Sequence, residues 1–374
     1  FYWSPCLSKV GTTNSTINSA IGMSKFFKNE FKVYLINSCG EWDKHIQYLQ
    51  TNNVEVIKLN YSFFNYLPKK GFIGSRISYV IIFLFSFIPL LNLLKKEKPD
   101  FIILHLITSL PLLLLSIFKF KTKFILRISG YPNLNLIRKF FWKKISKKIY
   151  KITFPTKDLI NQIKNLNIFD ELKISYLPDA VVNIKDFLKS TFFNNSNYEI
   201  KNYFLSAGRL TKQKNFEYLI NEFGNFCSNN KNYKLLIFGE GEDKLKLEKQ
   251  IKKNKLENKI ILMGFSENLF NYMRKAEAFI LSSLWEEPGF VIVEAAMCNL
   301  FVISSDCKNG PSEFLQNGRS GFLYKSNIKH ALKDKLEKFS EFKNNLKEKR
   351  INAKKNCLKY TMFRHSLELK KILV

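Results

Sequence analysis

The stretch Ser283-Leu284-Trp285-Glu286-Glu287-Pro288-Gly289-Phe290-Val291-Ile292-Val293-Glu294-Ala295-Ala296 decides how this chain is read. It follows an apolar run at 278–281 and leads into another, so strand, loop and helix are expected in succession. Glu286 falls in the loop just after the strand, and Glu294 lies eight residues further on, along the helix. Gly289 opens that helix, so the first amides, those of Phe290 and Val291 included, lack intrahelical acceptors. Carboxylates accept hydrogen bonds from sugar hydroxyls, and helix N-termini accept phosphate. The pattern suits holding a nucleotide sugar rather than hydrolysing one.

Upstream, three more strand ends carry glycine. Residues 203–206 run into Ala207-Gly208-Arg209-Leu210, followed by Lys212 and Lys214. Glycine lets backbone approach a ligand, and Arg with Lys at a strand's carboxyl end can clamp a diphosphate. The next two ends are Phe238-Gly239-Glu240-Gly241-Glu242 and Met263-Gly264-Phe265. Singly, each fits a turn that merely reverses the chain, and surface lysines are usually only solvated. As successive strand ends they predict one edge of a cleft.

The rest of the chain alternates short apolar runs with amphipathic stretches, as βαβ units do. Strands are expected at 32–36, 54–59, 101–106, 124–128, 152–154 and 173–176. A polar stretch at 182–201 interrupts, and strands resume at 203–206, 234–238, 259–263, 278–281 and 301–304. With 374 residues, two α/β domains are expected, each Rossmann-like and doubly wound. We place them at 1–182 and 200–352, with a C-terminal helix at 353–374 packing back on the first.

The net charge is +29, yet only eight of the 60 basic residues are Arg, and no nucleic-acid module is recognisable. Part of the Lys excess is equally well explained by coding bias; the remainder suits anionic lipid or phosphorylated substrates. Cys6, Cys39, Cys227, Cys298, Cys307 and Cys357 show no metal-ligand spacing and suggest reduced thiols in the cytoplasm. The chain opens on Phe1 rather than Met, which leaves open whether residues precede it; the cysteine pattern argues against secretion.

Two segments bear on membranes. Residues 77–94 are uncharged and followed by Lys95, Lys96 and Lys98, but Pro89 and Asn92 interrupt them. A buried core helix, an interfacial helix and a spanning helix are all compatible. Residues 135–151 carry one stripe of Ile137, Phe141, Ile145 and Ile149 and another of Lys139, Lys143, Lys147 and Lys151. That pattern suits a membrane surface, or equally a solvated helix face.

The second half resembles the retaining glycosyltransferases of family 4, whose signature is Glu-x7-Glu and whose GT-B fold sets two Rossmann-like domains facing each other across a cleft. Glu286 and Glu294 carry the signature. Gly208-Arg209-Leu210 with Lys214, Gly239-x-Gly241, Met263-Gly264, Asn309-Gly310-Pro311-Ser312-Glu313 and Asn317-Gly318-x-x-Gly321-Phe322 follow in the family's order. The first half is similar more loosely, at Val10-Gly11-Thr12, Lys98-Pro99-Asp100 before His105, and Arg127-Ile128-Ser129-Gly130. The resemblance implies that Arg209 and Lys214 hold the donor diphosphate as it leaves, while Glu286 and the amides after Gly289 hold the transferred sugar. Glu294 would hold the ribose, the Met263-Gly264 backbone the base, and Gly11 would approach the donor phosphates. It implies transfer of a hexose or N-acetylhexosamine, from a UDP-sugar, to a lipid-linked saccharide in lipopolysaccharide or other polysaccharide biosynthesis.

A leaving diphosphate gains charge, which a metal or fixed cations must stabilise. No Asp-x-Asp is present, so fixed cations and no cofactor are expected. Many relatives have a histidine where Ser129 stands, leaving His105 as a weak candidate and Arg127 as a possible contact for an acceptor phosphate. Glu287-Pro288 also replaces the commoner Gly-Phe. The sequence therefore points to a metal-independent glycosyltransferase, peripheral at the cytoplasmic membrane. The alternatives are an epimerase or phosphorylase on the same fold, and a non-catalytic polyanion- or membrane-binding module.

Overall fold

The computed structural model describes residues 1–6, 11–59, 64, 67, 72–132, 134–185, 187–188, 200–287 and 289–374. Val10, Pro288 and most of the polar stretch at 182–201 lie outside the described residues. The chain divides into two compact units, one of Phe1–Val181 with Thr361–Val374, the other of Val182–Tyr360.

The first unit is built on a seven-stranded sheet, β1 (Tyr2–Trp3), β2 (Tyr34–Asn37), β3 (Glu55–Lys58), β4 (Phe101–Leu104), β5 (Lys123–Arg127), β6 (Lys151–Phe154) and β7 (Ile174–Tyr176). Its order is β3-β2-β1-β4-β5-β6-β7, and every pairing is parallel. Parallel strands with both faces covered read as continuous apolar runs, which is why Phe101–Leu104 and Phe124–Leu126 were legible. β1 is not among the strands expected from the sequence. Two paired residues have no periodicity, and they lie inside the sheet between β2 and β4, at 3% and 0% exposure.

The second unit repeats the scheme with six parallel strands, β8 (Tyr203–Ala207), β9 (Lys234–Phe238), β10 (Ile260–Gly264), β11 (Ala278–Leu281), β12 (Phe301–Ser305) and β13 (Phe322–Tyr324). The order is β10-β9-β8-β11-β12-β13. Its core is aromatic: Phe204 meets Phe223, Phe226 and Phe339 at ring-centroid distances of 5.5–5.9 Å. The edge strand β13 is also absent from the strands expected, because Phe322 falls within a glycine motif.

Three expectations about the helices change. The apolar helix runs Phe72–Glu97 with Pro89 inside it; Leu90 and Leu94 join the unit's core, yet only 28% of its most apolar window is buried, so one face is covered and the other is not. The basic helix is shorter than 135–151. It spans Leu136–Ser146, capped by Asn135 Oδ1 accepting from the Arg138 amide at 2.8 Å, and it stops before β6. Its apolar stripe splits: Ile145 and Ile149 are buried, while Ile137 is 80% exposed. The C-terminal segment divides at Tyr360 rather than 353. Residues up to Tyr360 belong to the second unit, and the Met362–Leu373 helix lies against the Gly11–Phe26 helix of the first.

In that contact His365 Nδ1 donates to the Pro178 carbonyl at 2.6 Å, since a carbonyl only accepts. Its Nε2 therefore accepts from Ser19 Oγ at 2.7 Å. Burial holds His365 neutral, with its pKa lowered to about 4.

Candidate functional site

β8 and β11 are neighbours at the point where the second sheet changes winding direction. From β8 the chain winds out through β9 and β10, then returns to β11 on β8's other side. Loops leaving the carboxyl ends of two such strands diverge and leave a crevice. The β8 loop carries Gly208, Arg209 and Lys214, and the β11 loop carries Ser282 to Gly289.

Lys214 closes a short 3-10 turn, Lys212–Lys214, and its Nζ lies 2.6 Å from Glu286 Oε1. Both side chains are largely buried, at 14% and 4% exposure. Ser283 Oγ donates to the same carboxylate oxygen at 2.5 Å, and the Glu286 amide donates to the Lys308 carbonyl at 3.2 Å. A second seam joins the loops where Ser282 Oγ donates to the Lys214 carbonyl at 2.7 Å. Ser283 opens the decisive stretch without an expected role, and Ser282 and Lys308 are not among the residues expected at the site. The signal was present in a serine pair directly after a buried strand, where hydroxyls need acceptors.

Gly208 lies under the Lys214 stem, and a Cβ there would sit 3.1 Å from Lys214 Cε. Arg209 is exposed, and its guanidinium makes no side-chain hydrogen bond among the described residues. The Glu287 carboxyl lies above the usual range, first from desolvation and then from neighbouring Glu286, while Arg209 and Lys214 pull it back.

The other glycines have packing reasons of their own. A Cβ on Gly239 would stand 1.9 Å from the Gly208 carbonyl oxygen, and one on Gly241 would stand 2.2 Å from that of Leu210. The amides of Gly208, Leu210 and Gly239 donate to Phe238, Glu240 and Gly264 respectively, stitching the loops after β8, β9 and β10 together. Gly264 takes φ +72° at a register shift that includes Met263. These turns are close backbone contacts first, and whatever they offer a ligand comes from that shape.

Gly289 has φ +83° and caps the Phe290–Met297 helix, whose first residues Phe290 and Val291 are half-buried. Glu294 sits one turn further along, partly buried, and burial pushes its carboxyl up to about 7. Among the described residues no side chain donates to it. In the first unit Gly11 is exposed at the start of the Gly11–Phe26 helix.

Two first-unit candidates are corrected. Arg127 is 2% exposed; its Nη2 lies 2.7 Å from Asp179 Oδ1 and its Nη1 donates to the Leu177 carbonyl at 2.6 Å, so it does not face an acceptor. His105 is buried against Tyr2, with Nδ1 3.4 Å from Thr16 Oγ1, and burial, then Arg127, holds its pKa well below 6.5. Both are structural. Ser129 is half-buried. The six cysteines are free thiols, four of them buried.

Residues 189–356 match the family model described as Glycosyl transferases group 1. An uncharacterized glycosyltransferase of Methanocaldococcus jannaschii is 33% identical over 246 residues, which are 60% of this chain and 60% of that protein. The N-acetylgalactosamine-N,N'-diacetylbacillosaminyl-diphospho-undecaprenol 4-alpha-N-acetylgalactosaminyltransferase of Campylobacter jejuni is 27% identical over 261 residues, 65% of this chain and 70% of that one. Among solved structures, Anabaena HepE in complex with UDP superposes with a TM-score of 0.72 at 13% identity, covering 99% of this chain and 97% of that one. At that identity the likeness concerns the fold. The chain has the GT-B fold of two parallel-sheet α/β units, and the part of it that includes the β8 and β11 loops is similar to the glycosyl transferases group 1 family.

Proposed function

We propose that this protein is a glycosyltransferase that moves a hexose or N-acetylhexosamine from a UDP-sugar to a saccharide carried on a lipid diphosphate, with retention of configuration. The observation that carries this reading is the buried Lys214–Glu286 pair at the carboxyl ends of β8 and β11, beside exposed Arg209 and the amides that follow Gly289. An ammonium has three donors, so Lys214 can keep one on Glu286 and turn another to a phosphate. Glu286 keeps a second oxygen for a sugar hydroxyl, and Glu294 is held for the ribose. Arg209, poorly neutralised, receives the charge that grows on the departing diphosphate. These fixed cations act without a resident cofactor, and the departing phosphate serves as the base. The Campylobacter relative, named for a diphospho-undecaprenol acceptor, supports the acceptor class, and the UDP complex of HepE supports the donor. The setting is the cytoplasmic face of a membrane, with the protein bound peripherally.

The test is thermal unfolding of the whole chain with UDP, GDP, ADP or no nucleotide at constant salt. A ligand at 100 times its Kd adds about 2.7 kcal/mol, which raises Tm by a few degrees. A UDP-selective rise, lost in Arg209→Ala and unchanged by EDTA, is expected; no response to any nucleotide would sink the reading. Transfer of labelled sugar from UDP-sugars to a lipid-diphosphate saccharide then identifies the donor.

A further inference from the structure

The Phe72–Glu97 helix has two apolar faces and only one of them is used. Ser78, Ile82, Ser86, Leu90 and Leu94, four residues apart, are buried against the first unit. Ser86 Oγ bonds Ser38 Oγ at 2.7 Å, and the Ile107 amide donates to the Tyr79 hydroxyl at 3.2 Å. Along the opposite side Ile77, Val80, Leu84 and Ile88 are 51–64% exposed. A soluble surface normally places polar residues there.

The exposed apolar surface continues beyond this helix. The Ser109–Ile117 helix packs beside it, and the Leu136–Ser146 helix packs beside that in turn. Leu136, Ile137 and Phe140 are 72–86% exposed. The Leu136–Ser146 helix contains no acidic residue, and Lys139, Lys143 and Lys144 on it are exposed. At the far end of the long helix Lys95 and Lys96 are exposed as well.

From this we propose that the surface is a membrane-docking face, on which the Phe72–Glu97 helix lies in the plane of an anionic lipid bilayer while the lysines of its neighbours hold the headgroups. Interfacial helices have this combination, with apolar side chains entering the acyl boundary beside a basic rim. The opposite stripe is tied into the unit's core, so the helix does not leave the sheet to span. Pairing of two copies through this face would bring like-charged lysine rows together. The proposal deepens the membrane part of the functional reading and is independent of its nucleotide chemistry.

The experiment is co-sedimentation of the full chain with vesicles of phosphatidylcholine, with and without phosphatidylglycerol. Three double variants are compared, each confirmed folded by its circular-dichroism melt. Leu84→Asp with Ile88→Asp, and Lys139→Glu with Lys143→Glu, are each expected to lower partition onto anionic vesicles at least tenfold. Lys249→Glu with Lys252→Glu, on the second unit, should leave it unchanged. Equal binding to both vesicle types, or equal loss in all three variants, overturns the proposal. So does resistance of bound protein to alkaline carbonate, which would show a spanning helix. A dimer in light scattering, broken by Leu84→Asp with Ile88→Asp in protein that ignores vesicles, would assign the face to a second copy instead.

Discussion

Glu286 and Lys214 neutralise each other in a nearly closed site, so neither is removed without stranding the other's charge. Glu286→Ala is expected to slow sugar transfer about 100-fold, equivalent to roughly 3 kcal/mol of transition-state stabilisation. Its KM for donor should change less than kcat. Glu294 provides a test by pH. Its folded pKa of about 7 exceeds the ordinary 4.5, so the folded state binds the extra proton between those values. Its stabilising contribution is complete below pH 4.5 and is lost as pH rises through about 7. Glu294→Gln does not titrate, so its Tm relative to the unaltered protein should be higher at pH 8 than at pH 5. The same variant should lose the UDP response. A carboxylate that lowers stability where it is charged, yet is needed for binding, behaves as a functional residue.

Among elements, the loops after β8, β9 and β10 act as one piece because three backbone segments touch. Gly239 stands at φ +138° against the Gly208 carbonyl, so a methyl group forces two loops apart. Gly239→Ala is expected to lower unfolding free energy by about 3 kcal/mol, read from urea denaturation, and to do so with or without nucleotide. The Ala331–Phe342 helix depends on another helix for its start. Buried Glu222 accepts from the amides of His330 and Lys333 at 3.1 and 3.3 Å, a carboxylate cap at the positive end of the helix. Glu222→Ala should destabilise the second unit by about 2 kcal/mol. Cap and loop contacts were hidden in the sequence because their partners lie about a hundred residues away or in backbone atoms.

For the molecule as a whole, the first unit is closed by residues far from the rest of it in sequence. Met362, Leu369 and Leu373 join its core, and a Cβ on Gly22 would stand 2.3 Å from Ser366 Oγ. Truncation after Tyr360 should lower the unfolding transition of the first unit and leave that of the second in place, as hydrogen exchange would resolve. The sequence by itself determined the alternation of strands and helices and their division into two α/β halves. It also determined the place of Glu286, Glu294 and the glycine turns at strand ends, because burial on both faces of a parallel sheet leaves continuous apolar runs and turns require particular residues. Only the tertiary structure decided the central place of Tyr2–Trp3, the retirement of Arg127 and His105 into structural contacts, and the outward face of the Phe72–Glu97 helix. Each of these depends on which distant residues arrive beside a segment, and a chain's local pattern carries no record of that.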